Sequence, residues 1–389
     1  MMPSITYIFL TFLHLGVTAF GGLAMVEPLR RRVVEKNRWL KEEDFWDGLA
    51  LCQLLPGATV VQLATYVGQR LQGPLGGLAG ATGFILPAFL LMVTLSWLYV
   101  RYVDLAFVKA LSRGLNAVVI ALLLQAFWRL GQTVKKQTTD ILLALLALGL
   151  LWFKVHYLGV FLGAGAIRLL VGPAGNASGE ERFIKPRASE SLAFDGLLFP
   201  SIILTGCILL YLVLWRVYPI LAHLTGIMFK VGLISFGGGY VMIPVLQWEV
   251  VDRLGWLTLR QFLDGILLSY VTPGPLIILS AFVGFILQGF LGAVVATLAI
   301  FLPPILIILA LTPIYLHMKT AGWMRRIIQG VLDALVGMLA LVTLQLGLGA
   351  VTDWKTLGLM LGAAVALILF DLNLLWVIGG AAVVSMLIF

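Results

Sequence analysis

The chain has 389 residues, of which 61% are hydrophobic and only 11% charged, with a mean hydropathy of +1.05. That is too little charge to cover a soluble domain of this size, and the apolar stretches of roughly 15 to 25 residues suit helices crossing a hydrocarbon core of about 30 Å. The polar–apolar alternation of a membrane β-barrel is absent, and the net charge of +8 sits largely in loops, as membrane flanks require, so it does not imply nucleic-acid binding.

The first span falls at about Ile5–Val26. It lacks a basic n-region and runs on into charged sequence, so it does not read as a cleaved leader. Between Pro28 and Phe45 lie Arg30, Arg31, Arg32, Lys36, Arg38 and Lys41, interleaved with Val33, Val34, Trp39 and Leu40, a pattern for a helix on the membrane surface. Trp46–Arg70 is apolar but interrupted at Pro56-Gly57. Spans follow near Leu75–Val100, Phe107–Leu130, Ile141–Phe153 and Tyr157–Val171, the last two forming a tight pair around Lys154-Val155-His156. A polar Gly/Pro/Ser linker covers Gly172–Asp195, and one unpaired span, Gly196–Trp215, leads to a second series. That series is Ile220–Ile243, a polar stretch to Leu259, the Pro-broken Gln261–Leu287, then Leu291–Leu316, Ile327–Gly349, Leu357–Phe370 and Leu374–Phe389.

The second series copies the first at an offset of about 216 residues. Gly16, Phe20, Gly21, Gly22 and Pro28 recur as Gly232, Phe236, Gly237, Gly238 and Pro244. Trp39, Phe45, Asp47, Gly48, Pro56 and Gly57 recur as Trp256, Phe262, Asp264, Gly265, Pro273 and Gly274. Gly68, Gln72, Gly73, Pro87 and Gly114 match Gly284, Gln288, Gly289, Pro303 and Gly330. The expected fold is an all-α polytopic membrane protein with about 12–13 spans. Residues 1–172 form the first repeat, 173–217 the linker and unpaired helix, and 218–389 the second repeat. Six crossings per copy plus one extra span would invert the halves. The six-cation stretch of the first copy, against Arg253 and Arg260 offset by Glu249 and Asp252 in the second, points the same way. Duplicated membrane halves are the pattern of transporters with a site between the repeats, although a duplicated bundle also serves as a scaffold.

Pro56-Gly57-Ala58 and Pro273-Gly274-Pro275 sit near the middle of apolar segments, so each helix is expected to break near the midplane. Backbone opened at that depth must be buried or line a cavity, and a helix restarting there offers N–H groups to an anion. The alternative is a kink that only shapes packing. Gly21-Gly22 and Gly237-Gly238 permit either close helix approach or an unwound, ligand-facing turn. His14 and Lys230 occupy equivalent positions two residues before a matched glycine. They could serve an anion or a proton, or belong to an ion pair or a snorkelling side chain. Asp47 and Asp264 each precede the break by about nine residues, as helix caps or proton-coupling groups; Gln53 pairs with Tyr270, and Asn116 with Asp333, as weaker lining candidates. Cys52 and Cys207 form no metal or redox spacing. No metal-ligand cluster, phosphate loop, nucleotide fingerprint or nucleophile elbow occurs, so no cofactor, ATP-driven step or enzyme site is expected.

With Phe-Gly-Gly, the basic stretch and Pro-Gly-Ala/Pro-Gly-Pro in both halves, the chain resembles the chromate ion transporter family in its long two-domain form. The resemblance implies a multi-pass inner-membrane carrier that expels chromate, driven by the proton gradient, and confers chromate resistance. Its partners would be chromate or a similar oxyanion, protons and the lipid bilayer, with homo-oligomerisation left open. The resemblance carries over Phe20-Gly21-Gly22, Phe236-Gly237-Gly238 and the two Pro-Gly elements; together with the residue pairs above, the expected substrate site is Gly21, Gly22, Pro56, Gly57, Lys230, Gly237, Gly238, Pro273, Gly274 and Pro275, with His14, Asp47, Gln53 and Asp264 for proton coupling or lining. Ala58, where the second half has Pro275, departs from the pattern and leaves the half-sites unequal. Chromate and sulfate share shape and charge, so a sulfate carrier, or an anion channel, stands as the alternative.

Overall fold

The computed structural model describes residues 3–18, 25–134, 138–171, 195–235, 242–315 and 322–389, and every regular element among them is helical. The Gly172–Asp195 linker lies outside the described residues except for its last position. In the first repeat the helices are α1 (Ile5–Thr18), α2 (Val26–Arg30, continuing as a π-helical turn Arg31–Lys36), α3 (Glu42–Leu54), α4 (Thr59–Tyr102), α5 (Ala106–Val134), α6 (Thr138–Trp152) and α7 (Tyr157–Val171). The unpaired α8 is Asp195–Val217. The second repeat runs α9 (Pro219–Ile234), α10 (Met242–Gln247, with a π-helical turn Trp248–Arg253), α11 (Leu259–Val271), α12 (Leu279–Tyr315, preceded by a 3-10 turn Leu276–Ile278), α13 (Gly322–Ala350), α14 (Trp354–Ile368) and α15 (Leu374–Ile388). Even the π-helical turns recur. Among the described residues, five helices are long and apolar enough to cross a membrane: α4, α5, α8, α12 and α13.

Two of these long helices are themselves hairpins. Gln72-Gly73 and Gln288-Gly289 leave helical geometry, with Gly73 at φ 63° and Gly289 at φ 57°, a left-handed turn that glycine adopts freely. Beyond each turn the chain runs back on itself so closely that a Cβ on Gly68 would strike the Gly76 carbonyl, and one on Gly284 the Gly292 carbonyl. Gly80 likewise presses on the Ala64 carbonyl, giving an antiparallel register about Gln72-Gly73. The separate spans expected on either side of residue 72 are therefore the two arms of one hairpin.

The Pro56-Gly57 break is also a reversal. α3 has 13 residues, about 20 Å of helix. If the chain continued onward, Asp44 and Tyr66 would stand far apart along the axis. Instead the Tyr66 hydroxyl donates to the Asp44 carbonyl at 3.2 Å, Arg70 reaches Asp44 at 3.8 Å, and Gly48 lies flat against the Tyr66 ring. The first copy thus enters, turns at Gly57 (φ 133°) and returns; the second has the same turn conformation at Gly274 (φ 110°). A copy containing a segment that does not cross no longer has six crossings, and the parity argument for inversion drops out.

The helices gather into two compact units, each drawing on both repeats. One comprises Met1–Trp97, Arg182–Met242 and Leu268–Lys319; the other Leu98–Glu181, Ile243–Leu267 and Thr320–Phe389. In the first unit α12 packs on α9 and α8, and Gly16 and Gly232 bring α1 and α9 onto the carbonyls of Phe84 and Ile300, positions related by the repeat. α8 leaves Leu198, Ile202, Leu209, Leu212 and Val213 uncovered, as a lipid-facing helix would. In the second unit the closing pairs are exchanged: α5 packs on α14 and α15, whereas α13 packs on α6 and α7. Gly114 accordingly abuts Ser385, and its counterpart Gly330 abuts Ala164 and Arg168.

α14 starts from a reciprocal cap: the Thr356 N–H donates to Asp353 Oδ1 at 2.8 Å while the Thr356 hydroxyl lies 3.2 Å from the Asp353 N–H. That backbone bond, with Arg113 at 2.8 Å, holds the Asp353 carboxyl below the usual range. Its contribution is therefore full above the ordinary aspartate pKa of about 3.9 and is lost as pH falls through its folded value. Asp353→Ala is expected to lower the melting temperature modestly at neutral pH, and the gap from wild type should close on acidification; a gap that widens on acidification would contradict this.

Candidate functional site

The Pro56-Gly57 turn is tied to the second repeat. Its Gly57 N–H donates to the Ser235 carbonyl at 2.5 Å, and Gln62 Nε2 closes the turn by donating to the Pro56 carbonyl at 2.8 Å. Ser235 ends α9 and immediately precedes Phe236-Gly237-Gly238 in the sequence. Lys230, half-buried, lies five residues earlier on α9, about 7.5 Å along the axis. A Cβ on Gly57 would collide with Pro304 of α12; one on Gly274 would stand 2.8 Å from the Ala88 Cβ of α4. Pro304 and Ala88 are repeat-related, so each turn is seated on the other repeat's long helix at the same position.

The surroundings suit an oxyanion. α4 restarts at Thr59 and α12 at Leu279, each after a 3-10 or irregular turn, and the first N–H groups of a helix have no acceptor inside it. Two buried hydroxyls beside the turns, Ser235 Oγ and Ser280 Oγ, have no hydrogen-bond partner among the described residues. Pro56 and Pro273 are half-buried, whereas Gly57, Gly274 and Pro275 are buried. Gly21, Gly22, Gly237 and Gly238 lie outside the described residues.

His14 does not share the environment of its counterpart Lys230. It is exposed, and with Leu15, Thr18, Glu27, Pro28, Arg31, Arg32, Glu35 and Lys36 it lines a cavity of about 680 Å³. Arg30 is engaged by Glu27 at 2.9 Å, Glu35 at 2.6 Å and Glu42 at 3.0 Å, and Arg30 and then Arg31 hold the Glu27 carboxyl down at about 2. Arg32 Nε is buried there without a hydrogen-bond partner among the described residues, and Arg31, Arg32 and Lys36 outnumber the two glutamates of the lining. The surface helix expected from the basic stretch is thus a wall of this polar recess at the end of α1.

Asp47 and Asp264 also part company. Asp47 is half-buried on α3 and Gln53 exposed. Asp264 is 3% exposed and accepts from the Tyr99 hydroxyl at 2.9 Å, from the Ser112 hydroxyl and from the Asn116 side chain, with Arg260 nearby. It knots α11 to α5 and to the end of α4. Arg260, Lys109, Arg113 and Asn116 further line a cavity of about 660 Å³ beside it.

Sequence reasoning passed over one buried ionic group. Arg168 and Asp140, 4% and 2% exposed, pair at 2.8 Å, and Arg168 also donates to Thr139 Oγ1 at 2.5 Å. Asp333, fully buried, accepts from Gln329 at 3.0 Å and feels both Asp140 and Arg168. A charged residue inside the apolar run Tyr157–Val171 was the available signal.

The chromate transporter family profile matches residues 6–169 and again 222–386. Among curated relatives, an uncharacterized transporter of Methanocaldococcus jannaschii is 32% identical over 95% of this chain and 90% of its own length. A chromate transport protein of Pseudomonas aeruginosa is 36% identical over 77% of this chain and 71% of its own length. A chromate transport protein of Cupriavidus metallidurans is 28% identical over 96% and 91%. No solved structure matches the chain.

Proposed function

The chain belongs to the chromate transporter family, a family of membrane transporters and not of enzymes, and from that premise we propose that it exports chromate from the cytoplasm as a proton-coupled secondary carrier working by alternating access. The observation that carries this reading is the bond from Gly57 to Ser235, which ties the Pro-Gly turn of one repeat to the residue before the Phe-Gly-Gly run of the other. Pro56, Gly57 and Lys230 are then assigned to one half-site and Pro273, Gly274 and Pro275 to the other, with Gly237-Gly238 and Gly21-Gly22 joined to them on sequence and repeat symmetry alone. A tetrahedral dianion needs several N–H donors and a cation, and a helix restart with Lys230 near it supplies both. His14 and the basic cavity serve as an approach for the anion. The carrier sits in the inner membrane with Arg30–Lys41 cytoplasmic, and the repeats are inverted, a reading supported by the charge asymmetry alone.

Purified protein in proteoliposomes with an imposed pH gradient tests this, following labelled chromate with sulfate as competitor. Gradient-driven chromate movement that is lost in Lys230→Ala is the expected result. Equal movement of sulfate would keep the mechanism and change the substrate, and pH-independent flux would mean a channel.

A further inference from the structure

α13 is held between α6 and α7 by two glycines: Gly330 presses on the Ala164 carbonyl of α7, and Gly337 on the Ala144 carbonyl of α6. Asp333 lies midway between them and is therefore delivered into the space where Asp140 and Arg168 already pair. Two carboxylates lie with Arg168 as counter-charge, and Asp333 Oδ2 is buried without a hydrogen-bond partner among the described residues. With both acids ionised the group carries a net negative charge in a low-dielectric setting, which one bound proton relieves.

Among the described residues, Arg326 stands seven positions before Asp333 on α13 itself, and the cations of the other elements packed on α13 are engaged elsewhere. On α5, Lys109 pairs with Asp104, Arg113 with Asp353 and Arg129 with Asp371. α11 meets α13 at Gly349, a long way along the helix from Asp333, and there Arg260 is the neighbour of Asp264. Tyr157 of α7 donates to Glu249 at 2.7 Å.

The duplication provides an internal comparison. The glycine contacts place Ser385 where Arg168 stands, since Gly114 meets the one as Gly330 meets the other. The buried face of α14, Thr356, Ala363 and Leu367, corresponds to Asp140, Ala147 and Leu151 of α6, so Thr356 stands for Asp140. Asn116 stands for Asp333. The same helix exchange is therefore built once with Asn, Thr and Ser and once with Asp, Asp and Arg. Packing does not require the charges.

We propose that the Asp333–Asp140–Arg168 group is the proton-binding site of the carrier, with Asp333 taking up and releasing the proton and Arg168 fixed as counter-ion. This rests on the proton-coupled reading above. The first test needs no substrate: infrared difference spectra of the purified full-length protein, recorded as the pH is stepped, should show the carbonyl band of a protonated carboxylic acid. That band should vanish in Asp333→Asn and return in Asp333→Glu. In proteoliposomes, accumulation of labelled chromate or sulfate driven by a pH gradient should be lost in Asp333→Asn, and fall far more steeply than exchange at equal pH. A band that persists in Asp333→Asn, or accumulation that survives it, overturns the assignment. So does a wild type that moves neither anion in response to a pH gradient while showing the band. Because the spectra involve no anion, a wrong substrate leaves them unchanged and is told apart from a wrong proton site.

Discussion

Gly57→Ala is expected to abolish transport and to cut the yield of folded protein sharply. At φ 133° an L side chain is strained by about 1–3 kcal/mol, and the added methyl also meets Pro304 of α12 head-on. Neither neighbour can yield easily, because the Gly57 N–H is committed to Ser235 and proline side chains do not rotate away. Gly274→Ala should behave similarly but less severely, since φ there is 110° and the Ala88 Cβ stands at 2.8 Å. Gly131→Ala is the control. It lies in helical backbone on α5 with open space around it, and alanine there should be neutral or stabilising by up to about 1 kcal/mol. Size-exclusion profiles and melting temperatures in detergent would order the three variants. If Gly57→Ala melted like the control, the Pro-Gly turn would not be seated on the opposite repeat as described.

What the sequence disclosed was mostly backbone. Gly and Pro at a fixed offset marked the turns at residues 57 and 274 and at 73 and 289, because left-handed φ values and helix breaks leave few choices of residue. The direction in which the chain leaves each turn is a different matter. Whether Pro56-Gly57 kinks a helix or reverses it depends on Tyr66 finding Asp44, a contact across 22 positions that no local pattern encodes. The exchange of closing helices was likewise hidden, since α6 and α14 are both apolar 15-residue helices and either could have packed on α5. Among the side chains, Lys230 and Asp264 stood out because charge in an apolar run is conspicuous. Asp333 was noted only as the partner of Asn116; its meaning lay in Arg168 and Asp140, which become its neighbours only through the exchange.

Arg168→Ser is the second substitution expected to have a large effect. Removing the guanidinium leaves Asp140 and Asp333 buried together without their counter-ion, a loss of about 3–5 kcal/mol for a buried pair broken on one side. The penalty should be one of uncompensated charge rather than of lost volume, and the other copy shows how to separate the two. Combining Asp140→Thr, Arg168→Ser and Asp333→Asn installs the residues that the repeat uses at Thr356, Ser385 and Asn116. The triple variant should recover most of the melting temperature lost by Arg168→Ser alone, because no charge of this group remains and the glycine contacts that set the helix spacing are untouched. A triple variant no more stable than the single one would mean that Arg168 holds α7 to α13 mainly by packing its stem. Recovery of the fold would instead locate the difference between the repeats in charge alone, so that one copy of the exchanged helices keeps an ionic group that its twin folds without.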